Sequence, residues 1–299
     1  MRVFVTGASG WIGSATVDEL LGAGHEVVGL ARSDASATAL EAKGATVLRG
    51  DLDDLDSLRE GSDGADAVIH LANKHDFADQ AESNRAERAA VQTIGDVLVG
   101  SDRPFLVASG VAGLAQGRPS TELDPSPWSG PDAPRGGTEN LALDYLDKGV
   151  RSIGLRFAPT VHGDGDHGFI AVLVAAARAQ GRSGYVGDGS TGWAAVHRSD
   201  AARMVRLGLE QAPAGSLLHA VGEVSVPSRA IAEAIGRGVG VPAASVAPED
   251  AGTAFGSFIG MFFGMDMSAS STLTQELLGW TPTGPTLLED LESGSYFRA

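Results

Sequence analysis

Short apolar runs alternate with helix-length polar stretches along the first half of the chain. The runs contain so few polar residues that they do not fit strands with one solvated face. Apolar runs separated by helix-length crossovers are typical of parallel strands, so the pattern predicts an α/β fold with a doubly wound parallel sheet of the Rossmann type. The predicted strands are 3–5, 25–30, 45–48, 67–71, 105–108 and 152–156, and the predicted helices are 11–22, 35–42, 79–99 and 138–147.

A glycine-rich loop separates the first predicted strand from the first predicted helix. Residues 6–13 are Thr-Gly-Ala-Ser-Gly-Trp-Ile-Gly. Gly7 would permit the tight turn, Gly10 would let a pyrophosphate approach the backbone, and Gly13 would let the helix pack closely on the sheet. The free N–H groups of the helix would then face the phosphates, so the loop predicts a dinucleotide site. The cofactor-binding residues predicted here are Gly7, Ser9, Gly10, Trp11, Ile12 and Gly13.

The end of the second predicted strand favours NADP over NAD, although NAD stays possible. An acidic residue at this place would bind the ribose 2′-hydroxyl of NAD. The chain has Arg32 and Ser33 there instead. A guanidinium forms a charge-assisted fork with a 2′-phosphate, and a hydroxyl adds a donor. The alternative is that Arg32 is a solvated charge at the end of a strand.

The second half of the chain is less regular, with glycines and prolines scattered between three predicted helices (169–180, 199–211 and 228–236) and one brief strand (217–221). We predict an NAD(P)-binding Rossmann domain over 1–165. Residues 166–299 would form a mainly substrate-binding region, with segments that return to the sheet. Such a region would cover the carboxyl ends of the parallel strands, where open α/β sheets bind ligands.

Composition narrows the possible partners. The formal net charge of −16 disfavours nucleic acid and anionic membrane surfaces, because both would repel the chain. The chain has no cysteine, which excludes disulfides, thiolate nucleophiles and Cys-ligated metals. An apolar strand begins within three residues of the first Met, so we expect no signal peptide and a cytoplasmic location. The expected partner is a small-molecule substrate, and the helices predicted over 79–99 and 138–147 are candidates for a homodimer contact.

The glycine loop and six later segments together resemble the extended short-chain dehydrogenases/reductases, the NAD(P)-dependent epimerase/dehydratase family. The later segments are 50–52, 68–72, 107–109, 155–163, 196–202 and 276–280, so the resemblance runs nearly end to end. Beyond the glycine loop it implies further cofactor contacts at Asp51, Leu52, Leu71, Ala72, Pro159, Thr160 and Val161.

The sequence departs from this family at its catalytic pair. The family usually has Tyr-x-x-x-Lys at the start of the helix after the fifth strand, where the lysine binds the nicotinamide ribose and the tyrosine passes a proton. Counting back from Arg156 and Glu139, the lysine position holds Arg135 and the tyrosine position holds Pro131. The chain therefore resembles atypical members in which the pair is lost or replaced.

Other side chains must then meet the reacting oxygen. Ser109 ends the fifth predicted strand, Arg135 could hold the ribose, and His162 follows the sixth strand with a side chain that titrates near neutrality. We take these three as candidate catalytic residues, although each also has an ordinary structural interpretation. The candidate substrate-binding residues are Lys74, His75, His167, Tyr185, Trp193 and His197. No metal is predicted, because His162 and His167 lie in a glycine-rich loop without the fixed geometry of a helical pair.

Three functions fit this sequence. The leading one is an NADP-dependent oxidoreductase that reduces a small carbonyl or related substrate with a proton donor other than tyrosine. The second is a sugar-nucleotide epimerase or dehydratase that holds its NAD tightly. The third is a non-catalytic NADP-sensing protein.

Overall fold

Strands and helices alternate through the first half of the chain, as the pattern predicts. The computed structural model describes residues 1–74 and 79–298. The strands are β1 (Arg2–Thr6), β2 (Glu26–Ala31), β3 (Thr46–Arg49), β4 (Ala67–His70), β5 (Pro104–Gly110), β6 (Arg151–Phe157), β7 (Thr160–His162), β8 (Ser183–Val186), β9 (Gly192–His197), β10 (Leu217–Ala220), β11 (Glu223–Pro227) and β12 (Ala243–Val246). The helices are α1 (Trp11–Gly22), α2 (Asp34–Lys43), α3 (Leu55–Asp63), α4 (Gln80–Leu98), α5 (Thr138–Leu143), α6 (Phe169–Gln180), α7 (Arg198–Gln211), α8 (Ser228–Val239), α9 (Ala251–Phe255), α10 (Ser257–Phe263), α11 (Thr272–Leu278) and α12 (Leu287–Glu292).

Seven strands form one parallel sheet in the order β10-β6-β5-β4-β1-β2-β3. This is the doubly wound Rossmann arrangement, which confirms the predicted fold class. The direction of winding reverses between β1 and β4, and the crevice at the carboxyl ends of these two strands is where such sheets bind ligands.

Both faces of this sheet are buried, which explains why its strands are apolar throughout. Val3 and Val5 of β1 point into a core that also contains Val17 of α1 and Met204 of α7. Phe4 points to the opposite face, where α3 and α4 pack. Because each strand faces two layers of helices, a polar residue on either side would lose water without gaining a partner.

The six strands predicted in the first half are confirmed to within about two residues. One helix, α3, is missing from the prediction because its sequence is rich in Asp, Ser and Gly rather than in apolar residues. Gly61 lets it pack closely, since a Cβ at this position would lie 2.4 Å from the Phe4 ring. The helix predicted over 138–147 stops at Leu143 and continues only as a 3-10 turn over Leu146–Lys148.

The second half of the chain contributes to the main sheet layer and also forms a separate set of small sheets. Helix α7 packs against α1, and β10 pairs with β6 as an edge strand, so both belong to the main sheet layer. The remaining elements include the small sheets β7-β9-β11 and β8-β12. A separate apolar core lies between these sheets and their helices, around Trp193 and the rings of Phe263 and Phe169 at 5.2 and 5.7 Å.

Candidate functional site

The glycine loop between β1 and α1 lies directly against the chain that leaves β4. Gly7 has a positive φ of 66°, and a Cβ on it would be 2.7 Å from the backbone nitrogen of Ala72. A Cβ on Gly13 would be 2.0 Å from the carbonyl oxygen of Gly7, so the first turn of α1 rests on the loop. The roles predicted for Gly7 and Gly13 therefore have a direct steric basis.

The start of α1 fits a pyrophosphate. Gly10 is the N-cap, and it has no side chain to occupy the free N–H groups of the first turn. Ser9 and Gly10 are exposed, so a ligand can approach this backbone. Uncapped N–H groups at the positive end of a helix are a general anion site. The residues present therefore fit the phosphates of a dinucleotide.

Trp11 connects this loop to the chain after β6. Its indole N–H donates to the carbonyl oxygen of Val161 at 2.7 Å, and the Arg198 guanidinium lies over its ring at 4.2 Å. His167 meets the edge of the same ring at 5.7 Å between centroids. His167 is exposed and lies next to the phosphate loop, so its predicted contact with substrate stays a prediction.

Pro159 and the first two residues of β7 also border this loop. Pro159 and Val161 are half-buried, whereas Thr160 is 3% exposed. The hydroxyl of Thr160 has no hydrogen-bond partner within the described residues. The resemblance predicts cofactor contacts for all three residues, and these stay predictions.

The loop that carries His167 is held by the far end of the chain. The Tyr296 hydroxyl donates to Asp166 at 2.7 Å and accepts from the backbone N–H of Gly163 at 3.4 Å. Burial raises the pKa of the Asp166 carboxyl above its ordinary value. A residue near the C-terminus thus positions a loop beside the phosphate site.

Several residues predicted to hold the adenosine half of the cofactor lie at the carboxyl ends of β2 and β3. Those that follow β2 lead directly into α2. Arg32 and Ser33 are exposed, and the Ser33 hydroxyl accepts the backbone N–H of Ser36 as the N-cap of α2. Asp51 accepts the backbone N–H groups of Asp53 and Asp54, which fixes the turn after β3. Leu52, which follows Asp51, is buried, whereas Leu71 and Ala72, which follow β4, are half-buried.

Arg135 forms an ion pair with a buried carboxylate. Its guanidinium donates to Glu87 of α4, with Nε 3.0 Å from Oε1, and its backbone adopts a left-handed conformation with φ 55°. Asn73 donates to the other carboxylate oxygen. Glu87 is completely buried, and this burial raises the pKa of its carboxyl while Arg135 opposes the shift. Arg135 therefore stabilises Glu87, and the role predicted for it at a ribose is untested.

Ser109 is the last residue but one of β5, level with Arg156 of β6 in the register of the sheet. Its side chain is half-buried, and its hydroxyl makes no hydrogen bond within residues 1–74 and 79–298. A free hydroxyl at the carboxyl end of a parallel strand is available to a ligand in the crevice. Its predicted role at the reacting oxygen stays a prediction.

His70, at the end of β4, is completely buried. A 2.9 Å hydrogen bond joins its Nδ1 to the Thr6 hydroxyl, and its Nε2 has no partner in the described part of the chain. Burial first, and the nearby charge of Arg135 second, lower its pKa to about 3. The imidazole is therefore neutral at physiological pH and does not exchange protons with a substrate.

The catalytic role predicted for His162 stays a prediction, and the surroundings of the side chain do not favour it. The side chain is 0% exposed, and its Nδ1 is 2.6 Å from a carboxylate oxygen of Asp290 in α12. His197, predicted to bind substrate, instead caps α7 by accepting the backbone N–H of Ser199, and its ring meets the edge of His162. Both histidines hold α12 and α7 against β7 and β9. His162 and His167 also face different neighbours, so they do not form a pair for a metal.

Trp193 is 0% exposed and forms the centre of the second core, so the structure gives no support to its predicted contact with substrate. Tyr185 lies in β8, and the Arg229 guanidinium is 5.6 Å from its ring centroid. The ammonium of Lys74 lies between two carboxylates, 2.7 Å from Asp53 and 3.2 Å from Glu82, which raises its pKa. His75 lies outside the described residues.

The sequence analysis misses two carboxylates. Glu87 binds the candidate Arg135, and Asp290 binds the candidate His162. Glu87 lies 48 residues from Arg135, and Asp290 lies 128 residues from His162. The only local signal for Glu87 was an acidic residue on the inner face of a helix with otherwise small or apolar neighbours. Asp290 gave no such signal.

Two further features are stated for residues 1–74 and 79–298. These residues contain no cluster of three or more His, Asp or Glu side chains suited to a metal ion. None of their helices combines the length and apolarity needed to cross a membrane.

The sequence and the fold of this chain are both similar to those of known proteins. A relative from Schizosaccharomyces pombe, itself uncharacterised, is 45% identical over 99% of this chain and 100% of its own length. A ketoreductase from Stigmatella aurantiaca that acts on 4-hydroxy-2-methyl-3-oxo-4-farnesyl-3,4-dihydroquinoline-1-oxide is 29% identical over 73% of this chain and 67% of its own. The solved structure of MoeE5 in complex with UDP-glucose and NAD is 26% identical, with a TM-score of 0.74 over 99% of this chain and 97% of that one.

A family model matches residues 3–218, which extend from β1 into β10. This range includes the glycine loop, the end of β5 and the Arg135 segment. Together with the fold and the fit of the phosphate loop, it decides the relationship: the chain belongs to the NAD dependent epimerase/dehydratase family.

Proposed function

We propose that the protein is an NADP-dependent reductase of a small carbonyl or related substrate. The observation that carries the proposal is Arg32 at the end of β2, in the position where an acidic residue would bind the ribose of NAD. Arg32 is exposed, and it makes no ion pair within the described residues. Ser33 beside it adds a hydroxyl. This pair favours a ligand with a phosphate at that point.

The names of two relatives support reduction of an oxo group. One is the Stigmatella aurantiaca ketoreductase described above. The other is a 2-alkyl-3-oxoalkanoate reductase from Shewanella oneidensis, which is 41% identical over 73 residues, or 24% of this chain. Both names describe carbonyl substrates, and the second similarity is confined to about a quarter of the chain.

The residues around the crevice suit reduction more than reversible oxidation of a sugar. Bound NADPH would supply a hydride. The Ser109 hydroxyl would donate a hydrogen bond to the oxygen that gains negative charge, and water would supply the proton, because His70 and His162 are both buried. Preorganised donors of this kind contribute roughly 10²- to 10³-fold to rate.

Tyrosine and lysine side chains do not form a catalytic pair in the described structure. Tyr145 donates to Asp96 of α4 at 2.6 Å, and Lys148 lies over the Tyr145 ring. Tyr296 is bonded to Asp166, and Lys43 to Asp18. An epimerase or dehydratase needs a group that removes and returns a hydroxyl proton, so this arrangement disfavours that alternative.

The test follows the nicotinamide absorbance of NADPH with a panel of aldehydes, ketones and oxoacyl compounds. We expect oxidation of NADPH with at least one of them. Ser109→Ala should lower kcat by roughly 100-fold while the Kd for NADPH is unchanged. Ser126→Ala, in the loop before α5, is the matched control. The proposal fails if the wild-type protein oxidises NADPH with no compound of the panel.

One observation favours a second function, an NADP-sensing protein without turnover. The charge of Arg135 is already neutralised by Glu87, so the position that usually carries a free cation supplies little positive charge to a reaction. Tight binding of NADPH with no oxidation by the panel would support the sensor. Copurified NAD together with a sugar-nucleotide activity would support the epimerase instead.

A further inference from the structure

A second arginine, Arg49, reaches the edge where Arg32 lies. Arg49 is the last residue of β3, and it is level with Ala31 in the parallel register of β2 and β3. Arg32 follows Ala31 directly. The two arginines therefore leave neighbouring strands at the same carboxyl edge of the sheet.

Arg49 leans over the start of α2. Its guanidinium is 2.8 Å from a carboxylate oxygen of Asp34, the first residue of that helix. Asp34 follows Ser33, so this ion pair lies next to the proposed site of the 2′-phosphate. The side chains of Arg49 and Asp34 are 51% and 98% exposed.

An ion pair this exposed is weak and exchanges easily. Pairs of this kind contribute little to stability, because water screens both charges. A phosphate monoester carries about −1.5 to −2 charges, offers three acceptor oxygens and matches the guanidinium fork. It is therefore a stronger partner for Arg49 than the single exposed carboxylate of Asp34.

We propose that Arg49 is the second arginine that binds the 2′-phosphate of NADP, and that Asp34 competes with the phosphate for it. This inference rests on the proposed use of NADP. When the ligand carries a 2′-phosphate, Arg49 leaves Asp34 and binds the phosphate together with Arg32. When the ligand is NADH, the pair between Arg49 and Asp34 stays closed.

The competition makes Asp34 a residue that limits selectivity. Its carboxylate both occupies Arg49 and repels an incoming phosphate. Removal of its charge should therefore strengthen NADPH binding, whereas removal of Arg49 should weaken it. Neither change should affect NADH much, because NADH presents only a ribose hydroxyl at this edge.

The experiment measures dissociation constants of the full chain by titration calorimetry with NADPH, NADH and 2′,5′-ADP. Arg49→Ala should weaken NADPH and 2′,5′-ADP by roughly tenfold or more, the range expected for lost charge-assisted hydrogen bonds, and leave NADH within about twofold. Asp34→Asn should strengthen NADPH by roughly two- to fivefold. Arg59→Ala is the matched control, because Arg59 also forms an exposed pair, at 2.6 Å, with Asp56 of α3; it should change no constant.

The outcomes separate this inference from the proposal on which it rests. Equal wild-type affinities for NADPH and NADH would contradict the use of NADP itself. A wild-type preference for NADPH that disappears in Arg32→Ala but is intact in Arg49→Ala would overturn the role of Arg49 alone. Equal losses of NADPH and NADH in Arg49→Ala would overturn it as well, since the residue would then support the fold of this edge rather than bind a phosphate.

Discussion

At the scale of single residues, the buried carboxylate of Glu87 depends on Arg135. The carboxylate is completely buried and receives the Arg135 guanidinium and the Asn73 amide. Taking a charge out of water costs several kcal/mol unless a partner compensates. Arg135 therefore has a structural function whether or not it also meets a cofactor.

We expect Arg135→Ala to lower the free energy of unfolding by about 3–5 kcal/mol, because Glu87 loses its counter-charge. Urea denaturation measures this change. Arg85→Ala is the control: Arg85 also pairs with a glutamate of α4, Glu82, but on the exposed side, so the loss should stay below about 1 kcal/mol. The double variant Arg135→Ala, Glu87→Gln should recover part of the stability, and no recovery would contradict this explanation.

His70 predicts a pH dependence of stability. Burial lowers its pKa from the ordinary 6.5 to about 3 in the folded protein, so below pH 6.5 the unfolded chain binds a proton that the folded protein does not. Stability therefore falls as the pH drops from 6.5 towards 3, by about 1.4 kcal/mol for each pH unit.

Urea denaturation between pH 4 and pH 8 checks this value. His70→Gln should remove that part of the slope, although its stability at pH 8 is lower. Wild type and variant must be compared as slopes rather than as absolute stabilities, since other groups titrate in the same range. Identical slopes would show that His70 is not the residue responsible.

The sequence reveals residues whose function depends on close neighbours. Gly7 and Gly13 were found because the geometry of their loop is encoded within eight residues. The surroundings of His162 cannot be predicted in this way, because its partner Asp290 lies in a helix 128 residues later. The same holds for Trp193, whose aromatic partners come from α6 and α10.

At the scale of elements, the packing of α1 on the glycine loop is unusually close. A Cβ on Gly13 would meet the Gly7 carbonyl at 2.0 Å, whereas a Cβ on Gly22, at the other end of the same helix, would meet nothing within 4 Å. Gly13→Ala must therefore shift the helix, and we expect a loss of about 1–3 kcal/mol and weaker NADPH binding.

Gly22→Ala is the matched substitution for this prediction. It should leave NADPH binding unchanged and maintain or raise the melting temperature, because alanine favours a helix by up to about 1 kcal/mol. Thermal unfolding and fluorescence titration measure the two effects. Similar behaviour of the two variants would exclude the close contact as the reason for Gly13.

Elements of the main sheet were predictable because burial on both faces gives continuous apolar runs. The small sheets were not: the one strand predicted in the second half becomes β10, which belongs to the main sheet. The strands β8, β11 and β12 span only four or five residues and carry glycine, serine or proline. Their pairing depends on distant segments, as where β12 joins β8, and no local pattern records it.

At the scale of the whole molecule, the two halves of the chain share one core. The cluster around Val3 and Val5 also contains Val196, Met204 and Leu218 from the second half. Strand β10 covers the edge of β6 with a register from Leu217–Gly154 to Ala220–Phe157. A chain that ends after residue 165 would expose both the edge and one apolar face of the sheet.

We therefore expect a fragment of residues 1–165 to lack a cooperative unfolding transition, whereas a fragment of residues 1–221, which retains α7 and β10, should be more structured. Near-ultraviolet circular dichroism and urea denaturation distinguish the two. Cooperative unfolding of the shorter fragment, together with NADPH binding, would contradict the shared core.

The position of Trp11 has an optical consequence. Trp11 follows Gly10, the predicted phosphate contact, and its indole bonds to Val161, so it would lie close to a bound dinucleotide. The reduced nicotinamide absorbs where indole emits, so excitation of this ring should pass to a bound NADPH as energy transfer. Trp128, Trp193 and Trp280 also emit, so the contribution of Trp11 is the difference between the wild type and a variant that lacks this indole. The protein thus carries its own fluorescent indicator of cofactor occupancy, and Trp11→Phe would remove it.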